Sequence, residues 1–152
     1  MHCFFKDQEQ QASFVKNGYI VVPFLSESEI QLLTDALHAN FPTIPEGFYS
    51  TSFSTDETAK QTIKLAIENV FDEKVKAIAE PFKKLGSCFL TKFPGKAGEM
   101  PIHQDWTVVD ERKFQSVTIW VPLCDVNKQN GAMQVIPGSH NYSDALRSPS
   151  IP

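Results

Sequence analysis

Hydrophobic residues recur at helical spacing in two stretches of the first half of the chain. In the first stretch, Ile30, Leu33 and Leu37 fall on one helical face. The preceding residues 26–29 read SESE and have the S-x-x-E spacing of a capping box, which satisfies free backbone N–H groups at a helix start. The pattern predicts a helix of about three turns. A loop should follow over residues 41–53, where Pro, Gly, Ser and aromatic residues show no periodicity.

A second helix is predicted by an apolar stripe that follows another S-x-x-E sequence, at residues 54–57. The stripe consists of Ile63, Ala66, Ile67, Val70 and Phe71. We expect a break in this helix near residues 72–73 and its end before Pro81, which cannot continue a helix. The stripe should be buried against the outside of a β-sheet.

The second half of the chain changes to the period-two pattern of strands. In residues 115–124, Val117, Ile119 and Val121 alternate with Thr118, Trp120 and Pro122. Short β-rich segments separated by Pro-Gly, charged and Asn-Gly turns indicate further strands. The five predicted strands cover residues 19–22, 89–93, 100–105, 115–124 and 132–136. Helices followed by antiparallel strands indicate an α+β chain, with helices packed outside a sandwich or barrel.

Composition and charge narrow the range of partners. The 152 residues include 14 basic and 18 acidic side chains, a net charge of −4, which argues against binding to anionic nucleic acids or membranes. No apolar run is long enough to span a membrane, and the charged start does not resemble a signal peptide, so we expect a cytoplasmic protein. Cys3, Cys88 and Cys124 have no CxxC spacing and are interpreted as reduced thiols.

The candidate chemistry lies in the sequence His103-Gln104-Asp105. Alternate residues of a strand point to one face, so an imidazole and a carboxylate two residues apart can bind one metal ion. With a histidine from elsewhere they would form the facial triad of non-haem Fe(II) oxygenases, which leaves coordination positions open for substrates. Alone, however, so short a motif also arises by chance on a surface strand.

The surroundings of this motif resemble the phytanoyl-CoA dioxygenase family of Fe(II)/2-oxoglutarate oxygenases. Four blocks match in order: FVKNGYIVVPFLSESEIQLL at 14–33, LTKFPGKAGEMPIHQDW at 90–106, the strand at 116–123, and NGAMQVIPGSH at 130–140. HQD followed by NGAMQVIPGSH is fairly specific to that family. The resemblance implies one domain over residues 1–152 with a double-stranded β-helix (jelly-roll, cupin-like) fold and N-terminal helices outside it.

The resemblance also implies a site. His103 and Asp105 match the family's first two iron ligands, while Trp120 and Lys92 match or lie near positions that line its 2-oxoglutarate pocket. The family's third ligand, a late histidine, and its 2-oxoglutarate-binding arginine have no match. The domain is therefore expected to be incomplete at its C-terminus. The 152-residue chain alone should then bind Fe(II) and 2-oxoglutarate weakly.

The implied function is oxidation of a small organic substrate with dioxygen, while 2-oxoglutarate is decarboxylated to succinate. Related halogenases lack the carboxylate that Asp105 matches, so the resemblance favours hydroxylation or desaturation. Acyl-CoA thioesters and amino-acid derivatives are both used by relatives. The alternatives are a truncated, non-catalytic β-sandwich binding domain with a vestigial metal site and a cupin-like metal protein of different chemistry. A fragment with unpaired strands is also expected to self-associate.

Three of these residues have simpler interpretations. His140 could supply the third ligand, but it follows Pro137-Gly138, a turn signal. Trp120 could be a core aromatic residue of an alternating strand, and Lys92 a solvated charge on an edge strand. These alternatives remain open on the sequence.

Overall fold

The computed structural model of the chain describes residues 3–105 and 107–142. Within them it contains three α-helices and one two-stranded sheet. The helices are α1 (Gln8–Asn17), α2 (Glu27–Asn40) and α3 (Glu57–Ile78), and the strands are β1 (Phe48–Ser50) and β2 (Leu90–Lys92). In the described residues, no helix is long and apolar enough to cross a membrane.

Helix α1, which the hydrophobic pattern did not predict, is capped at both ends. The Asp7 carboxylate accepts the backbone N–H of Gln10 at 2.8 Å, and Gly18 ends the helix in the left-handed conformation with φ of 83°. No residue of α1 is fully buried. Its pattern of apolar positions was therefore too weak to reveal it.

Helix α2 confirms the predicted capping box. The Ser26 side chain accepts the backbone N–H of Glu29, and the Glu29 carboxylate accepts the backbone N–H of Ser26 at 2.7 Å. The same carboxylate lies 3.1 Å from the Lys74 ammonium on α3. The start of α2 is thus bonded to the second half of α3.

The hydrogen bonds at this cap predict how stability depends on pH. The backbone N–H of Ser26, then its hydroxyl, then Lys74 lower the pKa of Glu29 from its usual 4.5 to about 2. A lowered folded-state pKa means that the stabilisation is present above pH 4.5 and is lost as pH falls toward 2. Glu29→Gln should therefore lower the melting temperature at neutral pH, and its difference from the parent should shrink in acid. Thermal melts of both proteins from pH 7 to 2 test this, and a difference that is constant with pH would contradict it.

Helix α3 begins two residues later than the predicted capping box implies. Asp56 caps it by accepting the backbone N–H of Ala59 at 2.9 Å, while the Ser54 hydroxyl accepts the N–H of Asp56 and stays outside the helix. The predicted break near residues 72–73 is wrong, because α3 continues to Ile78. Glu73 and Lys76 form an ion pair of 2.7 Å across this region at helical spacing, which favours continuity.

The core lies between α2, α3 and the chain just before β2. Its buried members are Leu33, Leu37, Phe41, Ala59, Ile63, Ile67 and Phe89. Leu33 and Ile63 are each only 1% exposed. The predicted apolar stripe of α3 is thus buried at Ile63 and Ile67, but much of its surface packs against α2 rather than against a sheet. Packing of one amphipathic helix on another buries both stripes together.

The sheet pairs β1 with β2 in antiparallel register, with Tyr49 opposite Thr91. Part of the predicted 41–53 loop is therefore a strand, followed by a 3₁₀ turn at Thr51–Phe53. Thr51 extends the pairing: its N–H donates to the Phe89 carbonyl, and its hydroxyl accepts the Phe89 N–H, both at 3.0 Å. The sequence did not reveal β1 because its partner is about forty residues away and no local turn joins the two.

Four of the five predicted strands are not strands in the described residues: 19–22, 100–105, 115–124 and 132–136. An alternating segment becomes a strand only where a neighbour accepts and donates its backbone hydrogen bonds, and these segments have no ladder partner in the described part of the chain. Apolar side chains consequently reach solvent, with Val21 87% and Ile102 92% exposed. The observed architecture is mixed helix and small sheet, and the jelly-roll stays a prediction.

Candidate metal site

His103 and Asp105 lie together in the structure. The Nε2 atom of His103 is 3.3 Å from Oδ1 of Asp105. Their side chains are 47% and 56% exposed, so both donor atoms belong to a solvent-accessible pair. The geometry thus brings together the imidazole and the carboxylate that the sequence singled out, although their segment is not a strand.

A backbone carbonyl orients the imidazole. The Nδ1 atom of His103 is 2.7 Å from the carbonyl oxygen of Pro101. A carbonyl can only accept, so Nδ1 carries the proton and donates it to this bond. In the neutral ring, Nε2 then has the free lone pair, and that atom faces Asp105. Metal-binding histidines commonly donate their other ring N–H to a carbonyl or carboxylate in this way, but a backbone carbonyl leaves no signal in the sequence.

The spacing of the two donors fits a shared cation. Metal–nitrogen and metal–oxygen bonds of about 2.0–2.2 Å place two ligands roughly 3.0 Å apart at a right angle and roughly 3.4 Å apart at a tetrahedral angle. The observed 3.3 Å lies within that range. The same contact is an ion pair if both ring nitrogens are protonated. The donor set of one imidazole and one carboxylate suits a divalent transition metal, including Fe(II).

A third ligand is not found beside them in the described ranges. Among residues 3–105 and 107–142, no group of three or more His, Cys, Asp or Glu side chains is arranged to hold a metal ion. Within these ranges His103 and Asp105 are a pair of candidate ligands, and their role as iron ligands stays a prediction.

A turn that the sequence analysis did not single out follows the pair. Thr107 is only 1% exposed, and its hydroxyl makes long contacts of 3.3 Å to the N–H of Val109 and 3.4 Å to the Ser116 hydroxyl. Arg112 binds the Asp110 carboxylate through two nitrogens at 2.8 and 2.9 Å and lowers the pKa of Asp110. These contacts all lie within residues 107–116 and close the turn on itself. A single buried threonine has no periodic signal that could reveal it.

The two residues assigned to the 2-oxoglutarate pocket lie on separate segments. Lys92 is the last residue of β2, opposite Phe48, and its side chain is exposed. Its Cδ atom approaches Gly131, where an added Cβ would lie 3.8 Å away. Trp120 is 38% exposed, in the segment that was predicted to be a strand. Their roles toward a cosubstrate stay predictions.

His140 packs against the end of α1. Its Nε2 atom is 3.0 Å from the Val15 carbonyl, so Nε2 carries a proton and donates it there. The N–H of Gly138 donates to the Asn17 carbonyl at 2.8 Å, which fastens the Pro-Gly-Ser-His turn to the same helix end. Carbonyls at a helix end need such donors. The contact with the Val15 carbonyl explains the position of the His140 side chain without a metal ion.

The contact with His140 predicts a strong effect at Gly18. An added Cβ would lie 2.5 Å from His140 Nδ1, and the positive φ of 83° is itself unfavourable for alanine by about 1–2 kcal/mol. Gly18→Ala should therefore lower the free energy of unfolding by more than that strain alone. The measurement is chemical denaturation of the variant and of a matched control, Gly86→Ala, whose Cβ would meet nothing within 4 Å.

A double variant separates the two causes. In Gly18→Ala/His140→Ala the clash with the imidazole should disappear while the backbone strain at residue 18 remains. The loss in free energy of unfolding should therefore be smaller than the sum of the losses in the two single variants. Strictly additive losses would show that His140 does not contact Gly18.

Comparison with known proteins decides the family. The model of the family "Phytanoyl-CoA dioxygenase (PhyH)" matches residues 14–152, nearly the whole chain. The chain belongs to the phytanoyl-CoA dioxygenase family. The resemblance seen in the four sequence blocks is thereby confirmed, and the His103–Asp105 pair lies inside the matched region.

Two curated relatives match part of the chain. It is 41% identical over 58 residues to "Phytanoyl-CoA dioxygenase domain-containing protein 1" of Danio rerio, covering 38% of this chain and 20% of the relative. It is 39% identical over 54 residues to "Phytanoyl-CoA dioxygenase 1" of Oryza sativa subsp. japonica, covering 36% of this chain and 19% of the relative. The matched part thus spans about a fifth of each relative. No solved structure matches the chain.

Proposed function

We propose that this chain forms part of an Fe(II)- and 2-oxoglutarate-dependent dioxygenase that hydroxylates a small organic substrate. Family membership supports the reaction class, and the 3.3 Å approach of His103 Nε2 to Asp105 Oδ1 is the observation that carries the proposal to these residues. The presence of a carboxylate at position 105 favours hydroxylation or desaturation over halogenation, because related halogenases lack it. A coenzyme A thioester is one substrate class that the relatives' names suggest.

The residues of this chain have distinct tasks in that proposal. His103 and Asp105 would hold Fe(II), and the Pro101 carbonyl keeps the His103 proton on Nδ1 so that Nε2 can act as the ligand. When bound, the iron would activate dioxygen and couple the decarboxylation of 2-oxoglutarate to oxidation of the substrate. The exposure of both ligand side chains leaves their metal-facing side open to small molecules.

Two further residues are assigned to the cosubstrate. Lys92 would attract a carboxylate of 2-oxoglutarate, and Trp120 would provide an apolar wall beside it. What supports these roles is the match to family positions rather than a measured contact. A third iron ligand is still required, because the described residues hold no group of three candidate ligands. A cation for the far carboxylate is also required, because the family's arginine has no match in this sequence.

Oxygen-dependent release of succinate from 2-oxoglutarate tests the proposal. The 152-residue chain supplied with Fe(II) should form little or no succinate, because the third iron ligand and the 2-oxoglutarate-binding arginine have no match in it. A longer protein that adds strands carrying these two residues should form succinate, and Asp105→Ala in that protein should reduce the rate to background. His38→Ala is the matched control, because His38 lies in the last turn of α2 and has no proposed role. If the longer protein also forms no succinate, and the folded chain binds another protein without Fe(II), the binding-domain alternative would replace this proposal.

A further inference from the structure

A cleft of about 290 Å³ opens beside the first turns of α3. It is lined by polar side chains from α3, the 3₁₀ turn and the segment before β2; the members used below are Thr51, Ser52, Lys60, Lys64 and Ser87. A cleft of this size has room for a small polyatomic ligand. None of the predicted iron or cosubstrate residues lines it.

Two lysines give the cleft a positive charge. Lys60 and Lys64 are four residues apart on α3 and therefore lie on one face of the helix. Glu57 also lines the cleft and pairs with Lys60 at 2.6 Å, but its carboxylate side chain is 81% exposed and extends into solvent. Lys64 has no ion pair within the described residues. One carboxylate against two ammonium groups leaves a net charge of +1, which favours an anion.

A buried hydroxyl points to a ligand independently of that charge. The Oγ atom of Ser87, at the wall of the cleft, is buried and has no hydrogen-bond partner within the described residues. Buried polar atoms are nearly always hydrogen-bonded, so an unpartnered one beside a cleft indicates a missing partner there. A hydroxyl can donate to an anionic oxygen. The other two hydroxyls at this wall already have partners, because Ser52 contacts the Ser50 hydroxyl at 2.7 Å and Thr51 accepts the Phe89 N–H.

We propose that this cleft binds a phosphate group, with Lys64 and Lys60 as cationic contacts and the Ser87 hydroxyl as a donor. Phosphate has several strong acceptor oxygens, which match a set of ammonium and hydroxyl donors, and lysine binds it as a point charge. The group can belong to inorganic phosphate or to a phosphomonoester. This site is separate from the proposed iron chemistry and does not depend on it.

A calorimetric titration of the metal-free protein with inorganic phosphate, at constant ionic strength, tests the proposal. Lys64→Gln should weaken binding at least about fivefold and Ser87→Ala at least about twofold, since each removes a charged or neutral hydrogen bond. Lys128→Gln makes the same charge change in an exposed loop outside the cleft and should have no effect. Circular dichroism checks that each variant remains folded.

A second arm distinguishes the source of the phosphate. Tighter binding of glycerol 3-phosphate than of inorganic phosphate, lost in the same two variants, would assign the cleft to a phosphomonoester; the reverse order would assign it to the free ion. Absence of binding in the parent, or equal weakening by Lys64→Gln and Lys128→Gln, would overturn the proposal. Neither result would bear on succinate formation, so the two proposals fail independently.

Discussion

Replacing His103 by alanine is expected to weaken Fe(II) binding by at least about tenfold. Loss of the group that hydrogen-bonds a metal ligand lowers metal affinity about 10–100-fold in known metal sites, and removal of the ligand itself should do at least as much. Asp105→Ala should have a comparable effect, because each residue provides one of two donor atoms that lie 3.3 Å apart. The measurement is an anaerobic titration with Fe(II) in competition with a coloured chelator.

A histidine elsewhere provides the control for this titration. His38 lies at the end of α2, so His38→Ala removes an imidazole without touching the pair. It should leave the Fe(II) affinity unchanged. Equal affinities for the parent, His103→Ala and Asp105→Ala would show that the His103–Asp105 contact is only an ion pair, and the iron assignment would then be wrong.

In the double variant His103→Ala/Asp105→Ala, the loss of Fe(II) affinity should be smaller than the sum of the losses in the two single variants. Once one donor is lost, the other can hold the ion only as a single weak ligand, so its removal has little left to change. Residues that act through one bound ion are coupled in this way. Full additivity would mean that the two side chains bind separate ions.

The helices could be predicted because their information is local. The Ser26–Glu29 capping box and the Leu33–Leu37 stripe lie within one segment, and the structure reproduces both. The start of α3 was misplaced by two residues, because Ser54 and Asp56 are both good caps and only the folded backbone selects between them. Helix α1 shows the limit of this approach: its caps are strong, but no buried stripe accompanies them.

The strands could not be predicted in the same way, because a strand depends on a partner that is distant in sequence. β1 was missed within a loop, yet it forms because β2 lies beside it. Residues 115–124 have the stronger alternating pattern but no partner in the described part of the chain. Alternation therefore predicts which side chains share a face, and pairing decides whether a strand exists.

For the candidate site, too, the residues that a local motif marks could be predicted and the others could not. His103 and Asp105 are two residues apart, so a short motif sufficed to find them, and the structure brings their donor atoms together. The Pro101 carbonyl and the buried Thr107 belong to the same neighbourhood but have no side-chain signature that marks them. The contact of His140 with Val15 joins residues 125 positions apart, which no local pattern could reveal.

Replacing Ile63 by alanine is expected to lower the free energy of unfolding by about 2–5 kcal/mol, the usual range for truncating a large buried aliphatic side chain. Ile63 is 1% exposed and belongs to the cluster in which α3 packs against Leu33 and Leu37 of α2. The variant loses apolar burial and leaves a cavity between two helices whose backbones cannot fully close it. Urea denaturation followed by circular dichroism measures the change.

The matched control is Leu65→Ala on the same helix. Leu65 is 47% exposed, so its truncation should change the free energy of unfolding by less than about 0.5 kcal/mol. Alanine is a better helix former than either residue, so helix propensity cannot explain a loss at Ile63. Similar losses at both positions would mean that the outer face of α3 is also buried in solution. Such a result would support self-association through the exposed apolar surface. A urea midpoint that rises with protein concentration would distinguish self-association from a misplaced core.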